Sequence, residues 1–429
     1  MNYPDSVHFL YALGNEIKTA KFGLERIRTV MDALGCPQDR LRFVHVAGTN
    51  GKGSVCAMIE SALRADGRRT GLFTSPHLAE PTERIRIDGR PISADRFTHA
   101  FDRVHRTVEE LIDAGTIDMH TTYFETVTAM ALLLFAEERV DMVVLEVGLG
   151  GRLDATNIVT PELCVITPVD FDHEAFLGRS LESIAGEKAG ILKPRVPAVF
   201  ARQRPEAARV LDDRAAALAA PVVRTQDWSI RALEMDACGS SFVLVNDRER
   251  RIRCALAGEH QVDNAVTAAV GLVSLGVADH AVEAGIAATV WPGRIEVVKE
   301  QPKIILDGAH NPAGARALAA YIDRFYSGRR VHLIYGAMRD KAIAEISGIL
   351  FPRAHEVIVT AARQARAFSP EAMREIADHP RLTTADKIDD ALELVRDVPP
   401  EDVIFVTGSL FLVAEARAIL VPGLQPRAE

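Results

Sequence analysis

A lysine and a hydroxyl stand in a glycine-rich loop near residue 50, and side chains of these types could hold a polyphosphate. The loop consists of Gly48, Thr49, Asn50, Gly51, Lys52, Gly53 and Ser54. Glycines let backbone N–H groups point at phosphate oxygens, a lysine neutralises their charge, and a serine hydroxyl can reach Mg²⁺. Only two residues separate the first two glycines, and Gly53 precedes Ser54, so the motif is not a strict Walker A loop. From these residues alone, a nucleotide site and a glycine turn without a ligand both stay open.

Acidic and imidazole side chains follow two further apolar runs. Glu146 stands near the end of the first, and Asp170, Asp172 and His173 follow the second. Open α/β sheets bind ligands at the carboxyl ends of their strands, so these positions favour a metal site beside the phosphate loop. The alternatives are a solvated strand end for Glu146 and a hydrogen-bonded structural histidine for His173. Imidazole is moreover an unusual ligand for Mg²⁺, which prefers oxygen.

Three polar residues lie farther along the chain. Lys188 follows Gly186 and Glu187 near a predicted helix end, where an exposed lysine is the default interpretation. Asp307 and His310 come at the end of another apolar run, before an Asn-Pro turn. A simple strand-to-helix turn would explain them, but a position at a cleft between domains favours a functional role.

The elements that must position these residues alternate between strands and helices, which predicts parallel α/β architecture. Strands are expected in the first half at residues 43–47, 141–147, 163–169 and 198–200. A helix should follow the glycine loop, because Val55, Met58, Ile59, Ala62 and Leu63 recur at helical spacing. Short strands at 228–235, 241–245 and 251–256 predict a small antiparallel element, with the charged run 246–250 as a solvated hairpin turn. A helix is then expected over residues 263–275.

The alternation is interrupted at Trp291, Pro292, Gly293 and Arg294 and then resumes. Further strands are predicted at residues 303–307, 331–335, 356–360 and 402–407, as continuous apolar runs typical of a parallel sheet covered on both faces. We therefore predict two domains, 1–293 and 297–429, joined by a hinge at 293–296. The fold class is α/β, with an N-terminal P-loop-type ATPase domain, a small antiparallel β element and a C-terminal Rossmann-like domain.

Composition narrows the function classes. A chain of 429 residues exceeds what one core usually supports, and a net charge of −9 argues against nucleic acid or an anionic membrane as partner. No window approaches eighteen uninterrupted apolar residues, and the N-terminus lacks a signal-peptide pattern, which predicts a cytoplasmic protein. The five cysteines show no Cys-x-x-Cys spacing, so reduced, mostly buried thiols are expected rather than disulfides or a zinc site.

Taken together, these residues resemble the Mur-ligase-like ATP-dependent amide ligases, and among them the bacterial folylpolyglutamate synthase/dihydrofolate synthase family. Nine segments carry the resemblance, keep the family's order and span almost the whole chain. They are residues 48–54, 74–78, 82–86, 123–125, 146–157, 186–191, His260 with Asn264, residues 292–294 and residues 307–312.

The resemblance implies a role for each matching residue. Lys52 and the loop amides would hold the phosphates of ATP. One Mg²⁺ would bind Ser54 and Glu146, and a second would bind Ser75 and His173 with Glu146 shared. Lys188 matches a lysine that is often carbamylated in the family. Nucleotide contacts would come from His260, Asn264, Arg294 and Asp307, and His310 would lie near the transferring phosphoryl group. The pterin-side substrate would contact Arg84, Thr122, Phe124, Asp154 and Ala155.

The chain departs from many relatives in one segment. They read Leu-Asp-His-Thr-Asp-Trp-Leu-Gly where this chain has residues 171–178 with Phe171, Glu174, Ala175 and Phe176. The proposed ligand His173 is kept, so the change bears on substrate preference rather than on ATP chemistry.

The resemblance implies a monomeric amide ligase that joins L-glutamate to dihydropteroate, to reduced folates or to both, through an acyl phosphate. A dedicated folylpolyglutamate synthase is one alternative within the family, and a ligase of cell-wall peptides is another. A P-loop kinase or ATPase would explain Lys52, Ser54 and Glu146 but would leave Asp307, His310 and the second domain idle. A regulatory nucleotide-binding protein is disfavoured because every candidate ligand is intact.

Overall fold

The computed structural model describes residues 1–14 and 23–421. Residues 15–22 of the predicted first domain and 422–429 of the predicted second domain lie outside the described residues. Within the described part, the strands form an eight-stranded sheet, a three-stranded sheet and a six-stranded sheet. The predicted α/β class, with two largely parallel sheets and a small antiparallel element, is confirmed.

The first sheet brings the phosphate loop and the acidic strand ends to one edge. Strand Phe43–Ala47 lies between Met142–Glu146 and Leu163–Ile166, with Val46 opposite Glu146 and Ala47 opposite Ile166. These strands are parallel, so their carboxyl ends are level. In spatial order the strands are Arg90–Pro91, Ile85–Ile87, Thr70–Phe73, Met142–Glu146, Phe43–Ala47, Leu163–Ile166, Ala198–Phe200 and Val222–Arg224.

One strand runs against the others, since Ile85–Ile87 pairs antiparallel to both of its neighbours, Thr70–Phe73 and Arg90–Pro91. The predicted strand 163–169 ends early, at Ile166. Pro168 has no N–H to donate to a ladder, and the carbonyl of Pro168 instead accepts from Thr49 N at 2.9 Å. Residues 167–173 therefore form a loop beside the glycine-rich turn.

The three-stranded antiparallel sheet consists of Ser229–Met235, Ser240–Val245 and Glu249–Cys254. Residues 246–249 are exposed, as expected of a solvated hairpin turn, but Glu249 already pairs with Val245 and Arg250 departs from the expectation. Arg250 is only 1% exposed: its Nε donates to Asp279 at 2.8 Å, and its guanidinium lies over the Trp228 ring. A buried ion pair and an aromatic face thus hold the strand against its neighbours.

The six-stranded sheet is parallel except at one edge, where Glu296–Glu300 runs antiparallel to Lys303–Leu306. In spatial order its strands are Glu296–Glu300, Lys303–Leu306, Val403–Thr407, Val331–Tyr335, Glu356–Val359 and Leu382–Thr384. Leu306 lies opposite Val406, which lies opposite Ile334. Residues that follow these three strands therefore share one edge, as the Rossmann-like prediction requires.

Helices cover the sheets. Lys52–Ala65 is buried on most sides, because it packs between the first sheet and helices Glu259–Ser274 and Asp279–Ala287. Burying each large apolar side chain of this helix stabilises the fold by about 1.5–3 kcal/mol. The remaining α-helices of the described residues are Tyr3–Ala12, Glu25–Ala33, Ala94–Asp113, Tyr123–Glu137, Glu174–Leu177, Leu181–Ala189, Pro205–Ala217, Pro312–Tyr326, Ile343–Leu350, Pro370–Ile376, Ile388–Leu394 and Leu410–Leu420.

Among the described helices, none combines the length and the apolar character needed to cross a membrane. The five cysteines are free thiols, of which Cys56, Cys164 and Cys254 are buried.

Candidate active site

The glycine-rich loop adopts a conformation that its sequence specifies closely. Gly51 has φ +84° and precedes the helix Lys52–Ala65, and a Cβ at this position would lie 2.2 Å from Asn264 Oδ1. A Cβ at Gly48 would lie 1.8 Å from Thr167 Oγ1. Only glycine fits both positions, so the backbone can approach a ligand closely. Thr49 Oγ1 donates to the carbonyl of Asp170 at 2.9 Å, which ties the loop to the neighbouring strand end.

Lys52 is the first residue of the helix and lies in the wall of a cavity of about 330 Å³. Its Nζ lies 3.2 Å from the carbonyl oxygens of both Gly48 and Thr49. The cavity is also lined by every other residue of the loop and by the helix N-terminus, whose unpaired N–H groups favour anions. This geometry can cradle a polyphosphate.

The predicted metal ligands Ser54, Ser75 and Glu146 line the same cavity. Glu146 ends its strand and is 4% exposed, and its Oε2 accepts from Ser75 N at 3.0 Å. Burial raises the pKa of Glu146, against the nearby Lys52 charge. A buried carboxylate beside two hydroxyls and a phosphate-binding loop is the oxygen donor set that Mg²⁺ prefers, so these residues fit the ion.

His173 lines the cavity from the loop that follows Leu163–Ile166. It has a left-handed backbone with φ +53°, and its Nε2 lies 3.9 Å from Asp172 Oδ1. Burial lowers the pKa of His173 to about 4, although the Asp172 carboxylate opposes the shift. The imidazole is therefore neutral at pH 7 and has a lone pair available for a metal.

Lys188 is buried, and its interpretation as an exposed lysine is wrong. Helix Leu181–Ala189 places its side chain, 4% exposed, against the phosphate loop, where Nζ donates to the carbonyl of Gly48 at 2.9 Å. Burial, assisted by the Lys52 charge, lowers the pKa of Lys188 to about 7. A substantial fraction of this amine is therefore neutral near pH 7.

Helix Glu259–Ser274 supplies His260 and Asn264 to the cavity, and it adds a residue that the sequence reasoning missed. Gln261 Nε2 donates to Ser54 Oγ at 3.3 Å, and its Oε1 accepts from Asn264 Nδ2 at 2.9 Å. Nδ1 of His260 has no hydrogen-bond partner among the described residues. Burial lowers the pKa of His260 to about 4, so a neutral imidazole is available to a ligand.

Arg294, Asp307 and His310 reach the cavity from the six-stranded sheet and the segment before it. Asp307 is 5% exposed, and its two oxygens accept from Ile295 N and Ala309 N, each at 3.0 Å. Both Asp307 oxygens are thus engaged with backbone. His310 Nδ1 donates to the Gly308 carbonyl at 2.7 Å, which leaves Nε2 directed away from its own loop.

Polar contacts join the two large sheets across the cavity, and we call Asn50, Asp172, His310, Asn311 and Lys341 the inter-sheet seam. Asp172 Oδ1 accepts from Lys341 Nζ at 2.7 Å, and Asp172 Oδ2 lies 3.2 Å from Asn311 Nδ2 and 3.7 Å from His310 Nε2. Asn311 Nδ2 also donates to Asn50 Oδ1 at 2.9 Å.

Burial alone would raise the pKa of Asp172, but its interaction with His310 and the charge of Lys341 outweigh burial and hold that pKa well below the usual value. Sequence reasoning missed Lys341 and Asn311 as site residues. The available signal was the position of Lys341 in a polar run after the apolar strand Val331–Tyr335.

A second cavity, of about 140 Å³, adjoins the first, because Leu149, Gly150 and Leu177 line both. Of the predicted substrate residues, Thr122, Asp154 and Ala155 line it. Buried Asp154 accepts from Leu149 N at 2.8 Å and Thr156 N at 3.0 Å.

The second cavity also contains a charged group that the sequence reasoning did not identify. Thr122 and Glu125 form a capping box at the start of helix Tyr123–Glu137, in which each side chain accepts from the backbone N–H of the other. Glu125 also accepts from Arg26 Nη2 at 2.6 Å. Both Arg26 and Glu125 line this cavity.

The other two predicted substrate residues are not brought into this lining. Arg84 is 8% exposed, donates to His77 Nδ1 at 2.9 Å and lies over the Tyr123 ring. Phe124 packs behind the wall, against Phe73 and close to Gly148. Phe176, the aromatic residue of the departing segment, does line the second cavity and is 39% exposed.

Comparison with known proteins points to one family. The Mur ligase middle domain matches residues 90–272, and the Mur ligase glutamate ligase domain matches residues 293–410. The dihydrofolate synthase/folylpolyglutamate synthase of Bacillus subtilis is 35% identical over 408 residues, which cover 92% of this chain and 94% of that protein. The Escherichia coli protein of the same name is 33% identical and covers 94% of this chain and 92% of its own length.

Solved structures agree with these similarities. Mycobacterium tuberculosis folylpolyglutamate synthase complexed with ADP is similar with a TM-score of 0.92 and 34% identity, over 99% of each chain. E. coli FolC in complex with DHPP and ADP is similar with a TM-score of 0.88 and 32% identity, over 98% of this chain and 97% of that one.

Proposed function

Because this chain belongs to the dihydrofolate synthase/folylpolyglutamate synthase family of Mur ligases, we propose that it joins L-glutamate to dihydropteroate, to reduced folates or to both. It is an ATP-dependent ligase that forms carbon–nitrogen bonds, as its family and its similarity to ADP-bound structures establish. The choice of acceptor is the proposal, and activity on both acceptor types is the version that the names of its relatives favour.

The observation that carries the proposal is the shared wall of the two cavities. Leu149, Gly150 and Leu177 separate a phosphate-binding cavity from a smaller one with the buried carboxylate Asp154 in its wall. A pterin in the smaller cavity could hydrogen-bond to Asp154 and stack on Phe176, with its carboxylate tail extending toward the phosphate loop. A single molecule would then present the group to be activated beside ATP.

The proposed reaction has two steps. A carboxylate oxygen of the acceptor attacks the γ-phosphorus of ATP, the bond to the bridging oxygen breaks, and ADP leaves. The neutral amine of L-glutamate then attacks the acyl-phosphate carbonyl, phosphate leaves, and the amine proton passes to solvent. Positioning and charge neutralisation supply most of the rate in phosphoryl transfer, and we assign those tasks to the residues of the larger cavity.

Lys52 and the amides of residues 48–54 would hold the phosphates, because they surround the cavity at the helix N-terminus. Ser54, Ser75, Glu146 and His173 would hold two Mg²⁺ ions, which when bound would neutralise phosphate charge and orient the γ-phosphate. His260 and Asn264 would contact the adenine, since they line the cavity on the side of helix Glu259–Ser274, and Gln261 would orient Ser54 and Asn264.

Lys188 is proposed to react with CO₂. The neutral amine would attack the carbon, a C–N bond would form, and one proton would leave, giving a carbamate. A lowered pKa supports this step because only the neutral amine is nucleophilic. An ammonium near Lys52 would repel a bound metal ion, whereas a carbamate would supply anionic oxygens there.

The six-stranded sheet would complete the site. We propose the division into domains 1–293 and 297–429, with a hinge at 293–296 whose closure excludes water from the acyl phosphate. His310 would then face the transferring phosphoryl group and Arg294 the nucleotide. Asp307, whose oxygens bind Ile295 N and Ala309 N, would act mainly by fixing the hinge to the sheet.

Arg84 and Phe124 would contribute less directly. Arg84 would orient the loop over the acceptor, and Phe124 would support the cavity wall from behind. We also propose a cytoplasmic monomer whose partners are small molecules only, with neither nucleic acid nor membrane involved. The acidic net charge supports the last point.

The test is ADP release with MgATP and either dihydropteroate or tetrahydrofolate, each with and without L-glutamate. Turnover that requires both glutamate and an acceptor would support the proposal, and the acceptor pattern would separate a bifunctional enzyme from a dedicated one. ADP release that is indifferent to acceptor and glutamate would contradict it and would favour a kinase or ATPase.

A further inference from the structure

A cluster of two histidines and a glutamate lies outside both cavity linings, and we call it the His105 cluster. His105 and Glu109 stand one turn apart on helix Ala94–Asp113, and His120 follows that helix in the connection to helix Tyr123–Glu137. His105 Nδ1 lies 3.2 Å from His120 Nε2. Glu109 Oε1 lies 3.8 Å from each of these two nitrogens.

These distances match a preformed metal site. In a tetrahedral zinc site with bonds of about 2.0–2.1 Å, neighbouring ligand atoms lie about 3.3 Å apart. The two imidazole nitrogens already have this separation. The Glu109 oxygen needs to move by only about half an ångström, and the Glu109 side chain is 51% exposed and free to do so. The three atoms thus form one face of a tetrahedron.

Neighbouring side chains hold the imidazoles in this orientation. The His105 ring stacks on Phe101 with centroids 5.4 Å apart, and Phe9 packs edge-on against His105 and His120. The two histidine side chains are only 19% and 15% exposed. Because aromatic packing fixes both rings, a metal ion would find its ligands ordered in advance.

The outer nitrogen of His120 is engaged in the way that ligating histidines require. Its Nδ1 lies 3.1 Å from the carbonyl oxygen of Thr121, to which it can only donate, and 3.2 Å from Thr121 Oγ1, which also pairs with Thr126 Oγ1. The proton therefore belongs on Nδ1, and Nε2 accepts from His105 Nδ1. When a metal ion binds, the His105 proton would leave Nδ1 and His105 would carry its proton on Nε2 instead. Metal-binding histidines commonly donate their second N–H to a backbone carbonyl in this manner, which fixes the tautomer.

We propose that His105 Nδ1, His120 Nε2 and a Glu109 carboxylate oxygen bind one divalent transition-metal ion of the zinc type, with solvent as the fourth ligand. Two imidazoles and one carboxylate select Zn²⁺ over Mg²⁺, which prefers oxygen alone. The cysteine spacing gave no sign of such a site, because it uses no thiol.

The ion would cross-link the end of one helix to the segment that leads into the next. His120 precedes by two residues Thr122, which caps helix Tyr123–Glu137 and lines the second cavity. Binding would thus fix residues 114–121 and, through them, the position of Thr122 in the wall of the second cavity, where we propose that the acceptor binds. The role is structural, since none of the three ligands lines either cavity.

The test is calorimetric titration of the full chain with ZnCl₂ in excess Mg²⁺, which occupies the oxygen sites of the larger cavity. Wild type and the variants Glu109→Gln, His120→Gln and His99→Gln are compared, with Co²⁺ visible spectra as a second readout. His99 is the matched control. It lies on the same helix, its side chain is 61% exposed, and it pairs with Glu137 rather than with a residue of the His105 cluster.

We expect one Zn²⁺ per chain that His99→Gln leaves unchanged. Loss of an outer-shell partner alone costs about 10- to 100-fold in affinity, so loss of a ligand in Glu109→Gln or His120→Gln should lower the affinity about 100-fold or more. Co²⁺ should give tetrahedral absorption bands in wild type that Glu109→Gln weakens. Glu109 is half exposed, so its variant decides the question even if His120→Gln fails to fold. Equal Zn²⁺ affinity and stoichiometry in wild type and Glu109→Gln would overturn the proposal.

Discussion

The carboxyl edges of the two large sheets face one cavity but are built differently. At the first sheet, Lys52, Glu146 and Lys188 are held by hydrogen bonds within that sheet's own loops. At the six-stranded sheet, His310 and Asn311 line the cavity, and their contacts with Asp172 in the inter-sheet seam join them to the first sheet. Phosphate binding therefore depends on the loops of one sheet, whereas completion of the site depends on contacts between the two sheets.

This difference has a consequence for catalysis. A change at the first edge should have the larger effect on the chemistry, because Lys52 and the loop amides line the cavity where the phosphates would bind. A change in the seam should slow the reaction without abolishing it, because nucleotide binding survives there.

Lys52→Ala should give the largest effect. Removal of a charge-stabilising group costs on the order of 10²–10³ in kcat, and here the phosphate cradle loses the ammonium at the N-terminus of the helix that follows the loop. Steady-state ADP release measures it, with the exposed Lys387→Ala as control. Near-normal ligation by Lys52→Ala would show that the first edge is no more important for phosphate binding than the second.

Lys188 should be modified in a pH-dependent way. With a pKa of about 7, its neutral fraction rises from about a tenth at pH 6 to about nine-tenths at pH 8. At fixed dissolved ¹³CO₂, the carbamate resonance in ¹³C NMR should therefore grow over this range and be absent from Lys188→Ala, whose kcat we expect to fall about 10²-fold. A wild-type spectrum without the resonance at pH 8 would rule out the modification.

Asp172→Asn should weaken the seam. Hydrogen bonds to charged groups contribute about 1.5–3 kcal/mol, so loss of the Lys341 contact should lower kcat about tenfold or somewhat more while the KM for ATP changes little. Asp340→Asn is the matched control, since this carboxylate lies 3.8 Å from the same ammonium but is 45% exposed. Equal effects of the two substitutions would remove the special role of Asp172.

Phe176→Ala should have the smallest effect. It should distinguish the role of the second cavity from the role of the larger one. Its side chain is partly exposed, so loss of its apolar contact should raise the KM for the acceptor about threefold to tenfold. The KM for ATP should stay constant, because Phe176 does not line the larger cavity. A parallel rise of both KM values would mean that the cavities act as one.

Local sequence signals were sufficient to predict most of the strands that carry the site. Phe43–Ala47 and Met142–Glu146 are continuous apolar runs, and Glu146 and the glycine loop follow at their ends. Strand Thr70–Phe73 was missed although it is central, because it is four residues long, contains Gly71 and follows two arginines. Short edge strands such as Leu382–Thr384 were missed because pairing rather than local pattern defines them.

The site was harder to predict than the sheets, because burial depends on distant contacts. Lys188 looks exposed in sequence, yet the phosphate loop, 140 residues earlier, covers it. Asp172 was noted beside His173, but its partner Lys341 lies 169 residues away, and no local pattern connects them. Residue types and strand ends indicated candidates, and only the packing of the two sheets determined which of them meet.

In the proposed reaction, a carboxylate of an acceptor bound in the smaller cavity attacks ATP held in the larger one. The most direct measurement follows ¹⁸O from an acceptor carboxylate labelled at both oxygens during one turnover with MgATP and L-glutamate. We expect one ¹⁸O atom in each phosphate released, because that oxygen joins the γ-phosphorus and leaves with it. Unlabelled phosphate would contradict the acyl-phosphate route and the joint use of the two cavities.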